Sequence, residues 1–289
     1  MKHFFHLFLD KFRSNPPAVV AVIKLNGVIA ANGRMGQTIN LESYEKLIDT
    51  AFSMSGLKAV AISVNSPGGS PVQSGLILNR IRSLADKKDI PVLAFAEDVA
   101  ASGGYMLAIA GDEIFAHEAS IIGSIGVIYA GFGYTEAMKK LGVERRLHTA
   151  GESKSMLDPF SAEKSEDIER LKELQTEIHD YFKFVVKDRR GKRLNGTQTK
   201  LFSGDVWVGK EAKKVGLIDG IGDLKSTLKE RFGENVRIRD LSQKKPRLSS
   251  LLGILKSTDA SADAPIVKGW ADELLNTIET RAFWSRWGL

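Results

Sequence analysis

Short apolar runs alternate with amphipathic stretches along the first half of the chain. The β-branched run at residues 19–29 is typical of a buried strand, and apolar positions at helical spacing follow it at residues 41–51. The same succession returns with an apolar run at residues 59–64 and a helical stripe at residues 72–84. Repeated strand, loop and helix units predict an α/β fold with a mostly parallel sheet and right-handed crossovers.

The pattern continues in shorter elements toward the middle of the chain. Residues 91–96 predict another strand, and a third helix is predicted to begin near Ser102 and to carry residues 105–110. Short strands are expected around Ile114 and Val127. These elements extend the same α/β pattern.

The second half of the chain differs in composition and sets the domain boundaries. Residues 163–190 are heavily charged and amphipathic, which predicts a long helix with one solvent-exposed face. We predict an amphipathic N-terminal segment at residues 1–18, one domain at residues 19–240, and a linker with an aromatic C-terminal helix at residues 241–289. Both aromatic ends are expected to dock on the protein's own body, on a neighbouring subunit or on a membrane surface.

Composition and charge exclude several classes of protein. Of the 289 residues, 43% are hydrophobic and 26% are charged, which is typical of a globular protein. The chain has no cysteine, so disulfides, thiolate zinc sites and a cysteine nucleophile are excluded. The net charge of +6 is dispersed, and the basic stretches at residues 189–193 and 244–247 are interpreted as solvated loop or linker, so no nucleic-acid partner is expected.

The apolar runs also bear on location. None approaches the roughly 18 residues needed to span a bilayer. The N-terminal apolar run is interrupted by His6, closed by Asp10 and followed by no small-residue cleavage site, so no signal peptide is expected. These features favour a protein of the cytoplasm, or one lying peripherally on the inner face of the membrane.

Two glycine-rich loops follow apolar runs, at residues 65–70 and 100–105. Both are therefore expected beyond the carboxyl ends of strands, where ligands bind to parallel sheets. Glycines let backbone N–H groups approach a ligand oxygen, so the two loops could form an oxyanion hole; the alternative is that each Gly-Gly pair only permits a tight turn. Neither loop matches a phosphate-binding or dinucleotide-binding pattern.

Ser102 is a candidate nucleophile because it stands at the predicted strand-to-helix junction. The alternative is that its hydroxyl simply caps the following helix. A nucleophilic serine needs a base, and of the five histidines only His117 and His148 are plausible by position. The other candidate is Lys154, since a lysine whose surroundings desolvate it can act as a base.

Four motifs and a closing segment, taken in order, resemble the signal peptide peptidase A family of Ser/Lys peptidases. They are Ser-Pro-Gly-Gly-Ser at 66–70, Ala-Ser-Gly-Gly-Tyr at 101–105, Gly-Ser-Ile-Gly-Val at 123–127, Gly-Glu-Ser-Lys-Ser-Met-Leu-Asp-Pro-Phe at 151–160, and the segment 207–219. Each is weak alone, but their joint occurrence in order is specific.

The resemblance implies a fold, a site and a substrate class. The fold is that of the Clp protease subunit and the crotonases, built from repeated β-β-α units with a helical extension. The substrates are extended peptides with small or apolar side chains, such as signal peptide remnants and unfolded or membrane-derived segments, and neither cofactor nor metal is implied. The implied roles are nucleophile for Ser102, general base for Lys154, a lysine-orienting hydroxyl for Ser124, and oxyanion or substrate binding for Gly68, Gly69 and Gly103.

Two other functions remain open at this point. A crotonase-like acyl-CoA enzyme would use paired backbone N–H groups but would need neither a nucleophilic serine nor a buried lysine. A membrane-associated scaffold would be expected to have lost Ser102 or Lys154, yet both are present.

The number of catalytic modules points to an assembly. Tandem-module relatives place serine and lysine in different modules, whereas this chain has one module and lacks the evident N-terminal membrane anchor of many relatives. We therefore expect a ring-like homo-oligomer in which neighbouring subunits share each site.

Overall fold

The computed structural model describes residues 17–31, 38–241 and 284–287. Within these residues eight strands form one sheet. The strands are β1 (Val19–Asn26), β2 (Leu57–Ser66), β3 (Val92–Ala101), β4 (Glu113–Ala116), β5 (Ile121–Gly123), β6 (Val206–Val208), β7 (Gly220–Ile221) and β8 (Arg237–Leu241). The helices are α1 (Leu41–Phe52), α2 (Pro71–Lys88), α3 (Gly103–Ala108), α4 (Thr135–Leu141), α5 (Ser165–Arg190), α6 (Gln198–Leu201), α7 (Gly209–Lys214) and α8 (Leu224–Phe232), with short 3₁₀ turns at Glu152–Ser155 and Gly191–Arg193.

The long strand β3 divides the sheet at its centre. Strand order along the main path is β6-β5-β3-β2-β1-β8, and every pair is parallel except β5 with β6. The first half of β3 pairs with β4, which in turn pairs with β7, whereas its last three residues pair with β5. The end of β3 therefore lies between β2 and β5, and Ser102 follows it directly.

Both faces of the sheet are buried, which explains the continuous apolar run of the first strand. Ala21 and Ile23 of β1 point into the larger core, which α1, α2, α3 and α5 cover. Val20 and Val22 point to the opposite face, where they pack with Leu228 of α8. A parallel sheet covered on both faces requires such runs, and the predicted α/β fold class is confirmed.

Three predicted elements differ in the structure. The strand expected around Val127 is instead β5, because Ser124 adopts a positive φ of 51° that ends the strand. The strand expected at residues 91–96 continues to Ala101, since the end of β3 gains β5 as a partner. Strand β8 was not predicted because its sequence is polar, and it forms by pairing with β1 at the edge of the sheet.

The two aromatic ends lie largely beyond these elements. The predicted N-terminal segment at 1–18 and the linker and C-terminal helix at 241–289 fall mostly outside the described residues. The boundaries near 18 and 240 therefore stay predictions. No helix in the described part of the chain combines the length and apolar character needed to cross a membrane.

A buried ion pair ties the end of α5 to the sheet. The side chain of Arg190 is 1% exposed and donates to both carboxylate oxygens of Asp219, at 2.7 and 3.1 Å. Asp219 also accepts from the N–H of Ile114 at 2.8 Å, at the start of β4. Burial alone would raise the pKa of Asp219, but the hydrogen bonds and charge of Arg190 outweigh it and hold that pKa below its usual range.

Replacing Asp219 by Asn should leave the Arg190 guanidinium without its charged partner. We expect the free energy of unfolding at pH 7 to fall by about 3 kcal/mol, measured by urea denaturation. The carboxylate stabilises the fold above the unfolded-state pKa of about 3.9, and this contribution is lost as pH falls through the lower folded-state pKa. The gap between wild type and variant should therefore shrink below pH 4.

The matched control is Asp180→Asn on the surface of α5, where Asp180 pairs with Lys183 at 2.6 Å in contact with solvent. Its stability should stay close to that of the wild type, because exposed ion pairs contribute little. Equal losses in the two variants would contradict the structural role assigned to Asp219.

Candidate active site

Ser102 stands in a strained backbone conformation between β3 and α3. Its φ of 53° and ψ of −123° lie in a region that residues with a side chain rarely adopt. Its N–H donates to the carbonyl oxygen of Gly123 at 2.7 Å, which fixes the turn. The Ser102 side chain makes no capping hydrogen bond to α3, so the helix-cap alternative is not realised. A sharp, strained strand-to-helix turn is the arrangement that presents a nucleophilic hydroxyl.

The two glycine loops pack against each other at this turn. A Cβ atom on Gly68 would lie 2.8 Å from the Cβ of Ser102, and one on Gly103 would lie 2.6 Å from the Oγ of Ser74 and 3.4 Å from the nitrogen of Gly69. Side chains at these glycines would therefore force the loops apart. The expectation that both loops meet beyond the strand ends agrees with this geometry.

Gly69 and Gly103 present backbone donors beside Ser102. Hydrogen bonds from the N–H of Ile29 to Gly68 and from the N–H of Ser70 to Ile29, at 2.9 and 2.8 Å, hold the loop on both sides of Gly69. Within the described residues, no hydrogen bond uses the N–H of Gly69 or of Gly103. Two unengaged N–H groups next to a serine can accept the developing charge of an oxyanion.

A cleft of about 450 Å³ opens in front of these groups. Ser102, Gly69, Gly103 and Ser124 are among the residues that line it. Its other walls are Pro67, Pro71, Met106, Gly126, Val127, Ile128, Ile178, His179, Phe182, Ser203, Gly204 and Arg286. A cleft that combines apolar walls with convergent polar groups can hold a ligand in a fixed orientation.

Ser124 lies in the same cleft as Ser102. It follows β5 with a φ of 51°, and its N–H donates to the carbonyl oxygen of Asp205 at 2.7 Å. The residue before it, Gly123, accepts the hydrogen bond from Ser102. The structure thus brings together the predicted residues Ser102, Ser124 and the glycines of both loops.

Lys154 is the predicted site residue that lies elsewhere. It belongs to the 3₁₀ turn Glu152–Ser155, is exposed, and does not line the cleft. Its segment folds back on residues 132–145 instead: the rings of Tyr134 and Phe160 pack at a tilt of 31° with centroids 5.5 Å apart, and Arg145 pairs with Asp158. Within one chain, Lys154 is therefore not assembled with Ser102.

The histidines differ from the sequence-based expectation. His117 and His148, the two favoured by position, are exposed and lie outside the cleft. Of the three histidines in the described residues, His179 alone lines it, and its Nε2 lies 3.2 Å from the carbonyl oxygen of Ile125. Sequence reasoning missed His179 because it stands in a heavily charged helix, although its neighbours Ile178 and Phe182 mark the apolar face of that helix.

The described residues contain no group of three or more His, Cys, Asp or Glu side chains that could hold a metal ion. The polar atoms of the cleft are hydroxyls, backbone groups, one imidazole and the Arg286 guanidinium. Such groups can support nucleophilic attack by a serine and hydrogen bonding to an oxyanion.

Comparison with curated proteins finds relatives that this chain matches along part of their length. A Brucella abortus protein named Na(+)/H(+) antiporter NhaA is 48% identical over 93% of this chain and 37% of its own length. A putative protease of Methanocaldococcus jannaschii is 36% identical, over 65% of this chain and 59% of that protein. A putative signal peptide peptidase SppA of Enterococcus faecium is 31% identical, over 70% of this chain and 60% of that protein.

The chain thus spans between 37% and 60% of the length of these relatives. Most of the Brucella protein has no counterpart in this chain, so its antiporter name is not carried over. The two protease-named relatives agree with the resemblance to the signal peptide peptidase A family, which is confirmed.

A solved structure and a family model complete the comparison. The structure is a variant of the membrane-bound stomatin-specific protease 1510-N in complex with a substrate peptide, which matches 85% of this chain and 100% of its own at a TM-score of 0.50 and 17% identity. This likeness shows a shared fold. The model of peptidase family S49 matches residues 85–235, which run from the end of α2 to the residues just before β8 and include Ser102, Ser124 and Lys154. The chain belongs to peptidase family S49.

Proposed function

We propose that the protein is a serine endopeptidase that hydrolyses extended, apolar peptides with Ser102 as nucleophile and Lys154 as general base. The observation that carries this proposal is the strained Ser102 turn, which stands beside two unengaged N–H groups and lines the cleft. Backbone strain at a cleft persists only where the surrounding structure maintains it.

The proposed reaction has two halves. The Oγ of Ser102 bonds to the scissile carbonyl carbon while the neutral amine of Lys154 takes its proton. The N–H groups of Gly69 and Gly103 stabilise the oxyanion, and one such donor typically contributes about 10²- to 10³-fold in kcat. The C–N bond then breaks, the leaving amine takes the proton from the lysine, and water hydrolyses the acyl-enzyme with Lys154 again as base.

The walls of the cleft support the substrate class. Ile128 and Ile178 line the cleft with exposed apolar side chains, and Met106 and Phe182 lie buried in its wall. Apolar side chains next to the scissile bond would be buried there, at about 25 cal/mol per Å² of surface removed from water. Signal peptide remnants and unfolded or membrane-derived segments have such side chains.

The exposure of Lys154 supports a site shared between subunits. Its segment belongs to an arm, residues 127–164, that carries large apolar side chains in contact with solvent, including Phe132 at 78% and Leu141 at 77% exposed. A neighbouring copy that covered this arm would bury these side chains and bring Lys154 to the next cleft. A repeated head-to-tail contact of this kind closes a ring.

The acyl-CoA alternative would use the same pair of N–H groups but leaves the strain at Ser102 without a role. The scaffold alternative gives no role to the strain at Ser102 or to the pair of unengaged N–H groups. The peptidase proposal uses all of these features.

Ser102→Ala should abolish peptide cleavage, because the Oγ that forms the acyl-enzyme is gone. We expect kcat on a fluorogenic apolar peptide to fall by at least about 10³-fold, with an unchanged unfolding midpoint. Ser53→Ala is the control, since its hydroxyl bonds to the carbonyl oxygen of Asp49 at 2.7 Å, on the surface of α1. Cleavage by Ser102→Ala at the wild-type rate would rule out the serine mechanism.

The identity of the base is tested by substituting the candidates one at a time. Lys154→Ala should be as inactive as Ser102→Ala, whereas His117→Ala and His148→Ala should keep their activity because the proposed mechanism uses neither imidazole. If His117→Ala or His148→Ala is inactive while Lys154→Ala stays active, the general base is a histidine and not Lys154.

Mixing the two inactive variants tests the shared site. Ser102→Ala and Lys154→Ala chains are unfolded together in equal amounts and refolded, and peptide cleavage is measured. With Ser102 and Lys154 drawn from different subunits, half of the chains supply each group, so about a quarter of the wild-type activity should return. Mixtures that co-assemble but stay inactive would place both groups in one chain.

A further inference from the structure

The turn at residues 123–126 is held at three successive positions by three different parts of the fold. The carbonyl oxygen of Gly123 accepts from the N–H of Ser102, and the N–H of Ser124 donates to the carbonyl oxygen of Asp205, each at 2.7 Å. The carbonyl oxygen of Ile125 lies 3.2 Å from the Nε2 of His179. The anchors therefore come from the nucleophile turn, the loop before β6, and helix α5.

This turn needs external support. Both Gly123 and Ser124 have positive φ, of 107° and 51°, and for Ser124 this conformation is strained. Strain of this kind persists only when neighbouring groups fix the backbone. Because Ser124 lines the cleft, relaxation of the turn would move its hydroxyl relative to Ser102.

Of the three anchors, His179 is the one made by a side chain. A backbone carbonyl can only accept, so the Nε2 of His179 must carry the proton and donate to Ile125. Ile125 is fully buried, and within the described residues the Nε2 of His179 is the donor to its carbonyl oxygen. The bond also joins helix α5, whose Ile178 and Phe182 form the cleft wall, to the turn that carries Ser124.

We infer that His179 is a positioning residue of the peptidase, which holds the Gly123–Gly126 turn so that the Ser124 hydroxyl stays in place beside Ser102. The inference rests on the proposed function and on the role that the family resemblance implies for Ser124, a hydroxyl that orients the lysine base. His179 itself takes no proton from the substrate or from Ser102. Its contribution passes through one hydrogen bond to the backbone of the turn.

The test compares variants that differ in their ability to donate to Ile125. His179→Ala removes the donor, so kcat on an apolar peptide should fall by about 10- to 100-fold with KM within about twofold, because Ser124 shifts while the apolar walls remain. His179→Gln places an amide N–H at a similar reach and should recover most of the loss. His179→Asn, whose amide is shorter, should behave like the alanine variant. Glu177 is exposed and points to the opposite side of α5 from His179, so Glu177→Gln should match the wild type.

A double-mutant cycle separates positioning from a general structural role. If His179 acts through Ser124, adding His179→Ala to Ser124→Ala should lower kcat by less than about twofold further. Independent losses that multiply would overturn the inference, as would a change confined to KM, an unchanged kcat in His179→Ala, or a Gln variant as impaired as Ala. If the alanine variant fails to fold, the Gln and Asn variants make the same comparison.

The same experiments distinguish failure of the inference from failure of the proposed function. A wild-type protein that cleaves no peptide, and whose Ser102 is not labelled by a fluorophosphonate, contradicts the peptidase proposal itself. A wild-type protein that cleaves peptide, with His179→Ala equally active, contradicts only the role of His179.

Discussion

The hydrogen bond from the N–H of Ser102 to the carbonyl oxygen of Gly123 is the contact on which the site depends. It holds the strained serine at the point where β3 ends and α3 begins. On one side it connects Ser102 to the turn that carries Ser124. On the other side, the same conformation places Gly103 against Gly69, so that two N–H groups stay unengaged beside the hydroxyl. The parallel sheet supports this arrangement because β2, β3 and β5 all end at this edge.

How far the sequence predicts the molecule depends on where the information lies. The strands and helices could be predicted because both sheet faces are buried, which gives the strands continuous apolar runs. The two glycine loops could be placed together because parallel strands end at one edge of the sheet. The end of the strand before Val127 was not predictable, since it depends on the positive φ of Ser124. His179 was missed for a similar reason, because its place in the cleft comes from the packing of α5 and not from a motif.

Lys154 is the opposite case. Its sequence motif indicates a role as general base, but a single chain does not place it in the cleft with Ser102. The motif at residues 151–160 resembles that of the lysine base, yet Lys154 is exposed and outside the cleft. The exposed apolar side chains of the arm around it, such as Phe132 and Leu141, have no cover within the described residues. A contact between copies would account for both features, because it would bury the arm and desolvate the lysine that must lose its proton.

The central claim is that Ser102 is the nucleophile of this fold, and covalent labelling tests it most directly. The wild-type protein is treated with a fluorophosphonate, digested, and the adduct is mapped by mass spectrometry. A nucleophilic Ser102 with Lys154 as base should give a single adduct on Ser102, formed at a rate that falls together with peptide cleavage when Lys154 is replaced. An adduct on another serine of the cleft, such as Ser124 or Ser203, or an enzyme that cleaves peptides while Ser102 stays unlabelled, would contradict it.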